Sequence, residues 1–153
     1  MKALFEDDPY YRVMQLIDAI HIKSRKYAES QMRPLNMTYP QFAALMVLHI
    51  EDGVRQRRLA ELLETDTTTV TVLCNSLEKR GWIKRINDES DRRLKRITLT
   101  DDGRRIYAEA FEKLHSGLSY MHDKTPVEEI REAMPFLEEL HSNIKALLEG
   151  KTE

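Results

Sequence analysis

After Gly81 the hydrophobic period of this 153-residue chain changes from 3.6 to 2, and that change restricts what the chain can fold into. Trp82-Ile83-Lys84-Arg85-Ile86 and Leu94-Lys95-Arg96-Ile97-Thr98-Leu99 read as two strands, joined by the polar loop Asn87-Asp88-Glu89-Ser90-Asp91-Arg92-Arg93. Together they form a hairpin with a charged tip. On either side of it apolar residues return at helical spacing. The predicted fold is mainly α with a small β-hairpin, an α+β arrangement.

Local chemistry marks where the helices start and stop. Asp8-Pro9 is an N-cap followed by proline at the first helical position, and Val13, Leu16, Ile17, Ile20 and Tyr27 recur behind it until Pro34. Thr38 and Gln41 have capping-box spacing with Pro40 in the first turn, and Phe42, Leu45, Met46 and His49 form the stripe of that second helix. A short helix from Arg55 to Leu63 or Glu64 carries Leu59, Leu62 and Leu63 on one face. After the polar break Thr65-Asp66, a helix over 67–80 turns Val70, Leu73, Cys74 and Leu77 inward, and Gly81 closes it. Its other face carries Thr68, Thr71, Val72, Asn75 and Lys79. Four threonines in five residues give it poor intrinsic propensity, so packing must hold it. Thr100-Asp101-Asp102 caps the next helix. Thr125 and Glu128 form a capping box for the last one, whose stripe is Ile130, Met134, Leu137, His141, Ile144 and Leu148. Pro135 is expected to kink or divide that helix.

Charge is distributed unevenly along the chain. The net charge is −2, but residues 55–96 hold 11 Lys/Arg against 7 Asp/Glu, a surplus of +4. Residues 97–153 hold 7 against 12, a deficit of −5. A basic module between acidic arms suits a DNA binder with separate dimerisation helices. A short helix followed through a tight turn by a second helix is a helix-turn-helix, whose second helix enters the major groove. The hairpin behind it is then a wing, with arginines placed to reach the negative potential of an adjacent minor groove.

Other functions find little support. Glycine-rich phosphate loops, nucleophile elbows and dense metal-ligand motifs are missing, so no enzymatic activity, cofactor or metal is expected. With 41% hydrophobic and 33% charged residues and no apolar run near the roughly 20 residues of a bilayer span, no membrane association is expected. The acidic opening, Glu6-Asp7-Asp8, is not that of a secretion signal, so a cytoplasmic location is expected. The single cysteine, Cys74, falls on an inward stripe and reads as a small hydrophobe. The five histidines, His21, His49, His115, His122 and His141, form no recognisable ligand motif.

The residues from Leu59-Ala60-Glu61-Leu62-Leu63 through Leu77-Glu78-Lys79-Arg80-Gly81-Trp82-Ile83 resemble the helix-turn-helix of the multiple-antibiotic-resistance regulator (MarR) family. Asp88-Glu89-Ser90-Asp91-Arg92-Arg93, followed by Ile97-Thr98-Leu99-Thr100-Asp101-Asp102-Gly103, is similar to that family's wing signature, and Thr38-Tyr39-Pro40-Gln41-Phe42 resembles the start of its second helix. The resemblance extends from about Asp8 to the last helix. It implies a homodimer of winged helix-turn-helix modules docked on a pseudo-palindromic operator, and repression relieved by a small-molecule effector. On this reading 1–153 is a single MarR-like domain, with dimerisation helices at 1–34 and 104–148 and a DNA-binding module at 38–100. The chain departs from the family pattern in its recognition helix, where Val72 and Ser76 stand in place of frequent arginines and Asn75 in place of an acid. Val72 and the threonine methyls suit thymine methyls, and Asn75 suits adenine.

The expected partners are therefore double-stranded DNA, a second copy of the chain and a small-molecule effector. Candidate DNA contacts are Thr67, Thr68, Thr69, Thr71, Val72, Asn75, Lys79, Arg92 and Arg93, with Asp91 holding a wing arginine. Arg55, Gln56 and Arg57 read equally well as phosphate contacts or as a solvated face, and Arg57 is kept as a candidate. Tyr27, Tyr39, Phe42 and Met46 are candidates for an effector pocket, with plain core packing as the alternative. Rival readings are a winged-helix dimer acting through protein contacts, or a metal- or redox-responsive regulator.

Overall fold

A computed structural model describes residues 8–88 and 94–150. The chain divides into two compact units, residues 1–114 and 115–153. Six α-helices and a three-stranded antiparallel sheet make up the described residues.

Helix α1 (Pro9–Met32) opens as its residues dictate, with the Asp8 carboxylate accepting from the Tyr10 N–H at 2.9 Å. A single 3₁₀ turn over Arg33–Leu35 follows, ended by Asn36 in the left-handed region. Helix α2 (Tyr39–Ile50) has the expected capping box, both halves formed. The Gln41 side chain does more than cap. It is buried, and its Nε2 donates to Ser76 Oγ at 2.9 Å, which ties the start of α2 to the helix-turn-helix.

Val54–Arg55 forms β1, a strand absent from the sequence reading, which had only a two-stranded hairpin and began the short helix at Arg55. Two residues are too few to display a period of two. What makes them a strand is non-local, the pairing of Val54 with Ile97 and of Arg55 with Arg96. Helix α3 is correspondingly shorter than expected, Gln56–Leu62. It ends with Glu64 at φ 50 and the Thr65 N–H bonded to Ala60 O at 3.0 Å, the 6→1 closure of a Schellman motif.

Helix α4 (Thr67–Lys79) is capped by Asp66, whose carboxylate accepts from the Thr69 N–H at 2.8 Å and the Thr69 hydroxyl at 2.7 Å. These bonds, the hydroxyl's first, hold the Asp66 carboxyl below its ordinary range. Val70, Cys74 and Leu77 are fully buried, and Gly81 at φ 71 ends the helix as expected.

Strands β2 (Ile83–Asn87) and β3 (Lys95–Leu99) pair from Ile83↔Leu99 to Asn87↔Lys95, and the sheet order is β1-β3-β2. Each strand begins one residue later than the sequence suggested. Trp82 instead closes α4, its N–H bonded to Leu77 O at 3.0 Å and its ring beneath the Arg80 guanidinium.

Helix α5 (Asp101–His122) is locked to this closure. The Thr100 hydroxyl donates to Gly81 O at 2.6 Å and accepts from the Gly103 N–H at 3.0 Å. Helix α6 (Val127–Leu148) departs from one expectation and narrows another. Its cap is Pro126 with no side-chain bond, so the Thr125–Glu128 box does not form. Pro135 lies inside one continuous helix and does not divide it. Proline removes a single donor, and intact turns on both sides carry the helix through.

The core of the first unit collects Met32, Leu45, Leu48, Leu59, Val70, Leu77, Ile83 and Ile97 from α1–α4 and the sheet. Gly103 is the tightest point at its edge. A Cβ there would lie 1.9 Å from the Trp82 carbonyl oxygen, a backbone atom that no rotamer change can move. Gly103→Ala gains about 1 kcal/mol of helix propensity and loses more to the clash, since overpacking costs about 1–3 kcal/mol or more. A urea titration is expected to show net destabilisation. Equal or greater stability would mean that α5 does not start against Trp82.

Candidate nucleic-acid interface

The outward face of α4 is where the sequence placed its readers. Thr67, Thr68, Thr69, Asn75 and Lys79 are exposed, Thr71 is half-buried, and Val72 is 67% exposed although apolar. An isolated valine on water needs no explanation. Here it sits in the middle of a face whose other members are threonines, Asn75 and the cation Lys79.

These side chains are not all equally available. The Thr71 hydroxyl donates to Thr67 O at 2.7 Å and accepts from Gln56 Nε2, while the Thr69 hydroxyl belongs to the Asp66 cap. Gln56 therefore braces the helix start from α3, since it also donates to Thr67 O at 3.3 Å. No internal hydrogen bond holds the Thr68 side chain among the described residues, and it lines an open groove of about 420 Å³ with Thr38, Gln41, Thr69, Val72, Leu73 and Ser76. Arg57 is strongly exposed and lies 3.4 Å from Glu61 one turn along α3.

Arg55 has a different place from the one the sequence suggested. Register puts it directly opposite Arg96, and like charges so paired repel. Asp88, 1% exposed, resolves the conflict, because its Oδ2 lies 3.0 Å from Arg55 Nη2 and 2.9 Å from Arg96 Nε. Arg96 Nη1 also donates to Gly53 O at 3.0 Å. Among the described residues this ion cluster of Asp88, Arg55 and Arg96 fixes the root of the β2–β3 hairpin. Nothing local in the sequence signals it, since Asp88 reads there as one more polar loop residue. Arg92, Arg93 and Asp91, the wing-tip candidates, lie outside the described residues.

A second link joins hairpin to helix. Arg85, on β2, donates from Nη2 to Asn75 Oδ1 at 2.8 Å and from Nη1 to the Glu78 carboxylate. Sequence reasoning treated Arg85 only as a strand residue.

The MarR family profile matches residues 37–95, the segment from the start of α2 to the start of β3. HTH-type transcriptional regulator MgrA of Staphylococcus aureus is 35% identical over 104 residues, which cover 66% of this chain and 71% of MgrA. The chain belongs to the MarR family. HTH-type transcriptional regulator TtmR of Methylorubrum extorquens is 34% identical over 107 residues, 68% of this chain, but the match spans only 55% of TtmR. CouR from Rhodococcus jostii, solved bound to p-coumaroyl-CoA, shares the fold with a TM-score of 0.76, covering 89% of this chain and 93% of CouR at 23% identity.

Within this MarR-family chain the four effector-pocket candidates are not gathered in the groove beside α4, and none of them lines it. Phe42 is closed into the core and stacks on Tyr107 at 5.8 Å. Met46 is half-buried against the same core, Tyr39 lies under the Arg25 guanidinium, and Tyr27 is exposed on α1. No group of three His, Cys, Asp or Glu suited to a metal occurs among the described residues, and no helix there is long and apolar enough to cross a membrane.

Cys74 is fully buried on the inner face of α4, and burial pushes its thiol up to about 11 from the ordinary 9.0, with the Arg85 charge opposing that rise. The folded state thus holds the proton more tightly than the unfolded chain does. The stabilisation is complete below pH 9.0 and is lost as pH rises towards about 11. The thiolate is the reactive form. At pH 8 the native protein should resist a disulfide-exchange reagent and titrate one thiol only in denaturant. Rapid modification of the folded protein at pH 8 would contradict the packing role.

Proposed function

We propose that this chain is a homodimeric transcriptional repressor that docks on a pseudo-palindromic operator and is released by a small-molecule effector. The observation that carries the reading is a helix-turn-helix whose second helix buries Val70, Cys74 and Leu77 on one face and leaves Thr68, Val72, Asn75 and Lys79 on the other, beside a basic hairpin. Thr68 and Asn75 meet base edges in the major groove, Val72 and the threonine methyls meet thymine methyls, and Lys79 meets phosphate. Arg92 and Arg93 carry the wing into the minor groove. Arg57 adds a phosphate contact from α3. The Thr69 and Thr71 hydroxyls, engaged within the fold, position the helix start, and Thr67 faces DNA at the helix N-terminus, where backbone N–H groups and dipole favour phosphate.

Dimerisation is supported by apolar surface that the single chain leaves wet. Ile20 on α1 is 62% exposed and Leu148 on α6 is 84% exposed, and Tyr10, Met14, Ile130, Met134 and Leu137 are also exposed. Large apolar side chains exposed in such number mark interaction surfaces, and residues 1–34 and 104–148 are proposed to supply the interface. An effector is proposed because CouR, a structural neighbour, was solved with p-coumaroyl-CoA bound. The reading places the protein in the cytoplasm, without catalytic activity or cofactor.

Electrophoretic shift on DNA upstream of the protein's own gene tests DNA binding. Affinity should fall steeply with salt despite the −2 net charge, because each phosphate neutralised contributes about −0.9 to the slope of log K against log salt. A salt-independent shift, or none, would refute groove docking. The footprint should contain two half-sites about 34 Å apart.

Light scattering tests the dimer independently. Ile20→Glu combined with Leu137→Glu should convert dimer to monomer and abolish operator binding. A wild-type chain that is monomeric at micromolar concentration would remove this part of the reading.

A further inference from the structure

We propose that Arg85 sets the polarity with which Asn75 reads DNA, making Asn75 a donor that selects guanine over adenine. The inference rests on the DNA-binding reading above and deepens it. Arg85 is only about one-fifth exposed (side chain 21%), with one guanidinium nitrogen on the Glu78 carboxylate and the other 2.8 Å from Asn75 Oδ1.

An amide's oxygen and nitrogen look alike in shape, so its orientation has to come from its partners. A guanidinium offers only donors. The amide atom facing Arg85 must therefore be oxygen, and the bond is charge-assisted and roughly twice as strong as a neutral one. Glu78 holds the guanidinium from its other side, so Arg85 is not free to release Asn75 at little cost. The two N–H groups on Asn75 Nδ2 have no partner among the described residues, and the residue is exposed.

The base preference follows from the groove edges. Bidentate reading of adenine needs the amide to accept from N6–H₂ while it donates to N7. Oδ1 keeps a second lone pair, but the adjacent guanidinium charge opposes the approach of adenine's N6–H₂ to it and favours an acceptor, so Asn75 meets the groove through its Nδ2 donors. Guanine offers two adjacent acceptors, N7 and O6, whereas cytosine offers the donor N4–H₂ and is rejected. The adenine preference that the bare sequence suggested for Asn75 is thereby reversed by a residue ten positions away on another element.

The test is selection from random duplexes with the full-length protein, run beside thermal unfolding. Wild type should enrich guanine and deplete cytosine at one position in each half-site, by about tenfold. Arg85→Met keeps the aliphatic stem, frees Oδ1, and should shift that position to adenine. Asn75→Asp keeps the bond to Arg85 but removes both donors, so the guanine preference should vanish while the rest of the site is retained. Adenine in the wild-type selection, or an unchanged preference in a folded Arg85→Met, would overturn the proposal. If Arg85→Met fails to fold, guanine still enriched by Asn75→Asp overturns it equally. A wild type that binds no duplex at all overturns the DNA-binding reading itself, and this inference with it.

Discussion

Helix α4 begins Thr-Thr-Thr-Val-Thr, and what keeps such a sequence helical is the burial of its other face. Each threonine costs up to about 0.7 kcal/mol of helix propensity relative to alanine, so the four together oppose the helix by roughly 2–3 kcal/mol. Full burial of Val70 and Leu77 returns about 1.5–3 kcal/mol each, before Cys74 or the Asp66 cap is considered. Packing wins, and it also fixes the rotation of the helix about its own axis. That rotation decides which residues are left outside. The proposed interface is in this sense the complement of the core, and a loosened core would release the helix's rotation before it unfolded the domain.

How much of this was legible in the sequence depends on the range of the interaction. The Thr38–Gln41 box, the Asp8 cap, the inward stripe of α4 and the Gly81 stop all involve residues within a few positions of one another, and all are present. β1 could not be read, because its two residues owe their strand to Ile97 and Arg96 some forty positions on. Asp88 could not be read for the same reason. Its burial makes sense only once register has set Arg55 opposite Arg96. The Thr125–Glu128 spacing shows the converse limit, since a correct local pattern is no guarantee that the cap forms.

The candidate interface divides along the same line. Which residues face out of α4 follows from helical periodicity and needed no coordinates. Which of them are committed elsewhere does not follow. Thr71 is engaged by Gln56 from α3 and Asn75 by Arg85 from β2, partners that only the tertiary fold brings within reach. Reading chemistry off residue type alone therefore overstates what a surface side chain has left to offer.

The Asp88 cluster has a consequence for how the protein behaves in concentrated electrolyte. Attraction between exposed groups and a polyanion decays over a Debye length, about 10 Å at 0.1 M and about 3 Å at 1 M. Asp88 is shielded from mobile ions by its own burial, and its two arginine contacts are no longer than 3.0 Å, within even the shorter of those lengths. Salt that strips the protein from a duplex thus acts less on the root of the hairpin, where the half-exposed Arg55 and Arg96 meet a carboxylate closed off from the solvent. The pairing of β2 with β3 at that root is then less sensitive to ionic strength than any contact the exposed cations make with a polyanion.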